Sequence, residues 1–150
     1  MEKYPPFLFQ RLNLIGLILL KKGLVNTAQL QQALEIQKKE GGLLGGILLK
    51  QKFISEEALY IAIAEQCGLV YLPLERYAIA EELRGLVPKE MCLQYLFIPI
   101  ERIGDVLNVA IADPFNKKAI EAIQKSVPYK VDYTISTKTD IEKRVIREMR

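Results

Sequence analysis

Residues 14–37 recur as residues 43–66, at a constant offset of 29 positions and without gaps. Nine of the 24 aligned pairs are identical, among them Leu14/Leu43, Gly16/Gly45, Leu19/Leu48, Leu20/Leu49, Leu30/Leu59 and Gln37/Gln66. Apolar character is kept at further pairs such as Val25/Ile54 and Leu34/Ile63. Such a duplication obliges both copies to adopt one supersecondary unit, each burying its apolar rows against its neighbour.

Each copy reads as a short helix, a turn and a longer helix. In the first, Leu14, Ile15, Ile18 and Leu19 fall at helical spacing. Gly23 stands where that helix ends, at the position that tolerates a positive φ, with Lys21 and Lys22 suited to the terminal carbonyls. Asn26 caps the next helix; Gln29 can return a hydrogen bond, and Val25 can staple onto Leu30. The second copy repeats the scheme with Ser55 as cap and Ile54 on Leu59, with Glu56 and Glu57 in the positive first turn. One position breaks the pattern. Lys52 replaces Gly23, so the second turn must strain a lysine or take another shape. Gly41 and Gly42 end the second helix, and Gly45 and Gly46 open the third with bare backbone. Two readings of that bareness stay open: close packing of helices, or a flat seat for a planar ligand.

Composition narrows the chemistry. Half of the 150 residues are apolar and 26 % are charged, enough for a core and too balanced for disorder. The net charge is +3 without any block of like charge, so no nucleic-acid groove is expected. With no histidine the chain lacks the usual general base, the Ser/His and Cys/His nucleophile pairs and the commonest metal ligand. Cys67 and Cys92 cannot build a four-thiolate zinc site and are read as buried fillers of a reduced protein. The apolar stretch 12–20 has nine residues against the ~20 of a membrane span, and its near copy at 43–50 argues against a secretory signal. No phosphate-binding loop, HExxH, CxxC or GxSxG is present. The expectation is a chain with no catalytic residue and no metal site, one that is not itself an enzyme and sits in the cytoplasm without inserting into a membrane.

From Gly68 the pattern changes. Residues 78–86 suggest a helix stopped by Pro88. Two apolar runs, 93–100 and 106–112, flank Gly104-Asp105 and read as a hairpin in which Pro99 needs an edge. Asp113-Pro114 reads as a helix start, with Asp113 as cap. Val131, Tyr133 and Ile135 alternate with polar residues as a third strand. Thr137 caps a final helix striped by Ile141, Val145 and Met149, whose basic residues Lys143, Arg144, Arg147 and Arg150 read as a solvated face. The class is therefore α+β. Residues 1–66 form a helical repeat subdomain and 67–150 a small sandwich of a three-stranded antiparallel sheet with flanking helices.

The repeat and the segments C-terminal to it resemble the N-terminal domain of secretion and pilus-assembly ATPases of the GspE and PilB kind, including the variety called MshEN. That family carries two tandem motifs, each opening Arg-Leu-Gly and closing in a glutamine. The first is matched by Leu14-Ile15-Gly16, Leu19, Leu20, Gly23, Leu24, Leu30, Leu34 and Gln37. The second is matched by Leu43-Leu44-Gly45, Leu48, Leu49, Lys52, Leu59, Ile63 and Gln66. Residues 66–72, Val87-Pro88 and 109–114 resemble later signposts of the family. The resemblance implies a non-catalytic docking and regulatory domain that binds the cytoplasmic domain of an inner-membrane platform protein. It places the domain on the cytoplasmic side of that membrane through its partners and pairs it with a C-terminal or separate ATPase. It also implies no cofactor, with cyclic di-GMP as the alternative ligand along the motif. The candidate ligand-binding residues are then Gly16, Leu19, Leu20, Gly23, Leu24, Leu30, Leu34, Gln37, Gly45, Leu48, Leu49, Leu59 and Gln66. Both leading arginines are leucines here, Leu14 and Leu43, which weakens the nucleotide reading because leucine neither stacks on a base as a cation nor forks onto its acceptors. An unrelated helical-repeat adaptor is a third reading, poorly served by only two repeats.

Overall fold

The structure, a computed structural model, describes residues 14–150; Arg11, residues 12 and 13 of the apolar run and the side chain of Leu14 lie outside the described residues. Two compact units divide between Gln66 and Cys67.

The first unit holds α1 (Leu14–Lys21), α2 (Thr27–Glu40), α3 (Leu44–Lys50) and α4 (Glu56–Cys67). The repeat extends to individual hydrogen bonds. Leu24 N donates to Leu19 O at 3.0 Å and Gly23 N to Leu20 O at 3.1 Å; Phe53 N and Lys52 N do the same to Leu48 O and Leu49 O, both at 3.0 Å. These crossed pairs close each short helix through a left-handed residue. Gly23 takes a φ of 71° and Lys52 a φ of 62°, so the lysine is strained and the turn keeps its shape. Asn26 and Gln29 exchange the two bonds of a capping box at 2.7 and 3.0 Å, and Ser55 Oγ accepts from Ala58 N at 3.1 Å. The core is built from repeat mates: Leu19 with Leu48, Leu30 with Leu59, Ala33 with Ala62 and Val25 with Ile54 are all buried in one cluster. Each leucine so buried contributes about 1.5–3 kcal/mol.

In the second unit the segment from Val70 pairs beside the last strand: Ile135 N donates to Val70 O, Leu72 N to Ile135 O, and Ser136 Oγ to Leu72 O. Two 3₁₀ turns come next, Leu74–Arg76 and Glu81–Leu83, then α5 (Lys89–Tyr95), β1 (Phe97–Ile103), β2 (Val106–Ile111), α6 (Lys117–Ser126), β3 (Lys130–Ile135) and α7 (Lys138–Glu148).

Several expectations need correction here. The sheet is mixed, in the order β1-β2-β3: β1 and β2 are antiparallel, but β3 runs parallel to β2. The ten-residue α6 lies between β2 and β3 and carries the chain back along the sheet, which makes the returning strand parallel. Residues 78–86 hold no α-helix. Ile79, Leu83 and Val87 are buried at a spacing that mimics one, yet Leu83 N and Arg84 N reach back only three residues, to Ala80 O and Glu81 O. The apolar run 93–100 is split, its first part closing α5 and its last part opening β1, with Leu96 left-handed at a φ of 54° between them. A short apolar run carries no period that separates a buried helix from a strand. Pro99 sits on the edge strand beside a bulge, and Gly104 leads the two-residue hairpin turn at a φ of 62°. Asp113 caps no helix; its carboxylate accepts from Phe115 N, and Asn116 caps α6 three residues later. Thr137 caps α7 as expected.

Arg144 is the largest departure. It is 7 % exposed instead of solvated, donates to Leu74 O and to Tyr77 O, and pairs with Glu148. Ile141, Val145 and Met149 on the same helix are buried as expected. Cys92 is buried, whereas Cys67 is only half-buried.

Candidate functional site

The motif residues divide sharply by exposure. Leu19, Leu30 and Leu48 have no accessible surface, and Leu20, Leu34 and Leu59 have less than a tenth of theirs. Gly16 is buried as well. In this conformation these side chains shape the unit from within and offer nothing to a ligand. Gly23 and Leu24 are exposed, and Gln37, Gly45, Leu49 and Gln66 are half-buried. Of the motif residues, this second set has surface to offer.

Local rules explain where each of these stands. Gly23 and Leu24 are the left-handed residue and its successor in the first turn. Gln37 reaches past the end of α2 and donates from Nε2 to Gly42 O at 3.0 Å, tying down the glycine pair between the repeats. Its mate Gln66 has a buried Oε1 with no hydrogen-bond partner among the described residues, an acceptor that favours an incoming donor. The glycine pair at the start of α3 resolves unequally. A Cβ on Gly45 would stand 3.2 Å from Leu59 Cδ2, so its bareness serves packing, while a Cβ on Gly46 would meet nothing within 4 Å.

Leu43, the residue before α3, occupies the place of the motif's leading arginine. It adopts extended backbone, makes no side-chain cap and is 78 % exposed. An apolar side chain standing free there cannot hydrogen-bond a base or balance a phosphate. Leu24 and Ile61 are also exposed, at 39 % and 40 %. Lys21 and Lys22 precede Leu24, and Lys22 pairs with Glu65 of α4.

Neither unit assembles a reaction centre among the described residues. No group of three His, Cys, Asp or Glu side chains among them is placed to hold a metal ion. No helix among them is long and apolar enough to cross a membrane. Burial pushes the Cys92 thiol up to about 12, so it is an inert filler. Burial also raises the half-buried Cys67, with a smaller push from the Asp113 charge.

A family model for the MshEN domain matches residues 67–149. The chain belongs to the MshEN domain family. The match lies on the second unit, so membership does not depend on the repeat. The PilB pilus-assembly ATPase of Myxococcus xanthus is 29 % identical over 133 residues, covering 89 % of this chain and 24 % of that protein. Bacteriophage adsorption protein B of Escherichia coli is 33 % identical over 121 residues, covering 81 % of this chain and 16 % of that one. The chain thus spans a quarter or less of these relatives. Among solved structures, MshE with cdg superposes at a TM-score of 0.81 and 30 % identity, covering 91 % of this chain and 99 % of that one. The N-terminal domain of XpsE shares the fold at a TM-score of 0.75 and 20 % identity, each chain covered in full. The relatives of this MshEN domain include pilus-assembly ATPases, and its own 150 residues contain no phosphate-binding loop.

Proposed function

We propose that this MshEN domain is a docking and regulatory module of a type II secretion or type IV pilus ATPase, carrying it to the cytoplasmic domain of an inner-membrane platform protein. Leu43 carries this reading. It is an apolar side chain held out at the head of α3, where the motif that the repeat resembles has arginine, and covering it with an apolar partner surface would contribute about 1.5–3 kcal/mol. The absence of any catalytic constellation among the described residues supports the same reading. The test is co-purification with the cytoplasmic domain of the platform protein and with the Leu43→Asp variant as control. Capture by the parent domain and its loss in the variant are expected; a folded parent domain that captures no platform component would overturn the proposal.

A second reading, binding of cyclic di-GMP, is favoured by one observation: the likeness to MshE with cdg extends over nearly the whole of that chain. The left-handed turns, Gly23 and the half-buried glutamines are all retained. Each missing arginine removes about 1–3 kcal/mol of charged hydrogen bonding. Calorimetry with the dinucleotide decides this reading, and no heat at ~100 µM ligand ends it for micromolar affinity.

A further inference from the structure

The second unit carries an arginine cluster that neither reading of the repeats uses. Arg84, Arg144, Arg147 and Arg150 are linked through only two carboxylates, Glu81 and Glu148. Glu148 alone meets three of the four guanidinium groups. The ion pairs of this network thus join four guanidinium groups to two carboxylates. Arg144 is spent internally, its nitrogens going to Leu74 O, Tyr77 O and Glu148. Arg147 and Arg150 are not: their side chains are each 69 % exposed, and each makes one ion pair. Beside them Lys143 is exposed and has no ion pair among the described residues, and Lys89 Nζ donates to Ile146 O at 3.1 Å. Within this collar of cations Ile146 stands 61 % exposed. A cleft of about 220 Å³ opens alongside, lined by Leu74, Glu75, Asp140, Lys143, Arg144 and Arg147.

We propose that the C-terminal turns of α7 form a docking surface for an acidic segment of a partner protein that also presents apolar side chains. Arginine forks match carboxylates, and exposed Arg147 and Arg150, each with one ion pair, together with Lys143, leave donors for incoming carboxylates. An apolar residue framed by those forks is the arrangement of an interface centre with a charged rim. One isoleucine is too little to enter a bilayer, which favours a protein segment over a membrane. The proposal stands on the second unit alone and is independent of what the repeats bind.

The test is a titration of the intact 150-residue chain, monitored by amide chemical shifts at low salt. The probe is a synthetic helical peptide of about 16 residues whose glutamates flank a row of leucines. Shifts confined to α7 and Lys89 are expected. Lys143→Glu and Arg147→Glu together should weaken the affinity about tenfold or more, and Ile146→Ser alone about threefold. A peptide with glutamine in place of glutamate should not bind. If the paired charge reversal disturbs the fold, Lys143→Glu alone, at an unpaired exposed residue, should still weaken binding. Equal affinity in these variants, shifts centred elsewhere, or no binding of the glutamate peptide would overturn the proposal. So would tighter association with phosphatidylglycerol vesicles than with the peptide.

Discussion

Replacing Lys52 by glycine should make this protein more stable although it removes a whole side chain. Lys52 holds a φ of 62° in a turn that glycine makes in the other repeat at 71°. A left-handed residue other than glycine costs roughly 1–2 kcal/mol. Glycine gives back about 0.5–1 kcal/mol through the larger entropy of its unfolded chain. The lysine charge near the end of α3 offsets a few tenths of a kcal/mol more. The net gain is about 0.5 kcal/mol. With a urea slope of about 1.5–2 kcal/mol/M, the midpoint should rise by ~0.3 M at unchanged slope. The reciprocal change, Gly23→Lys, should cost a similar amount, since a Cβ at Gly23 meets nothing within 4 Å and only the backbone term remains. If Lys52→Gly lowers the midpoint, or Gly23→Lys leaves it unmoved, the two turns are not equivalent and the reasoning fails.

Three further outcomes rest on particular contacts. Gly46→Ala should raise the melting temperature, because alanine in a helix gains about 0.5–1 kcal/mol over glycine and its Cβ has open space, whereas Gly45→Ala should not, because Leu59 Cδ2 stands at 3.2 Å. Arg144→Leu should cost about 3 kcal/mol or more in urea unfolding, since it strands two carbonyls and Glu148. Burial alone would raise the Glu148 carboxyl, but the hydrogen bond and charge of Arg144, joined by Arg147, hold it below the ordinary 4.5. Its contribution is thus complete above that ordinary value and lost as pH falls through the lower folded one, so Arg144→Leu should flatten the acid limb of stability. With its thiol pushed up to about 12, Cys92 should resist alkylation at neutral pH in the native protein while the half-buried Cys67 reacts first; equal rates measured by mass spectrometry would contradict the burial assigned to them.

The repeat unit was the more legible half because its signals are local and occur twice. Asn26 with Gln29, Ser55, and the glycine at position 23 specify caps and turns from neighbours within a few residues, and the offset of 29 checks each against its mate. The second unit depends on pairings that adjacent residues do not encode. Strand direction was the clearest failure: alternation identifies β3, but only the crossover through α6 makes it parallel. Ile79, Leu83 and Val87 lie at helical spacing and bury themselves through 3₁₀ turns. Arg144 was readable in principle, because it falls on the face of Ile141, Val145 and Glu148, but its partners at Leu74 and Tyr77 lie some seventy residues upstream. For the candidate site, the motif marked where residues cluster but not which face outward. Leu19, Leu30 and Leu48 match the motif and lie wholly inside. Leu43, which departs from it, has the surface.

We propose that a duplicated motif with its frame retained, having leucine at both leading positions, serves a protein contact in place of a nucleotide contact. Calorimetric titration of cyclic di-GMP into the parent chain and into the Leu14→Arg/Leu43→Arg variant tests it directly. At about 1–3 kcal/mol per arginine, the variant should bind roughly two to four decades more tightly than the parent. Equal affinity in the two proteins would contradict the account.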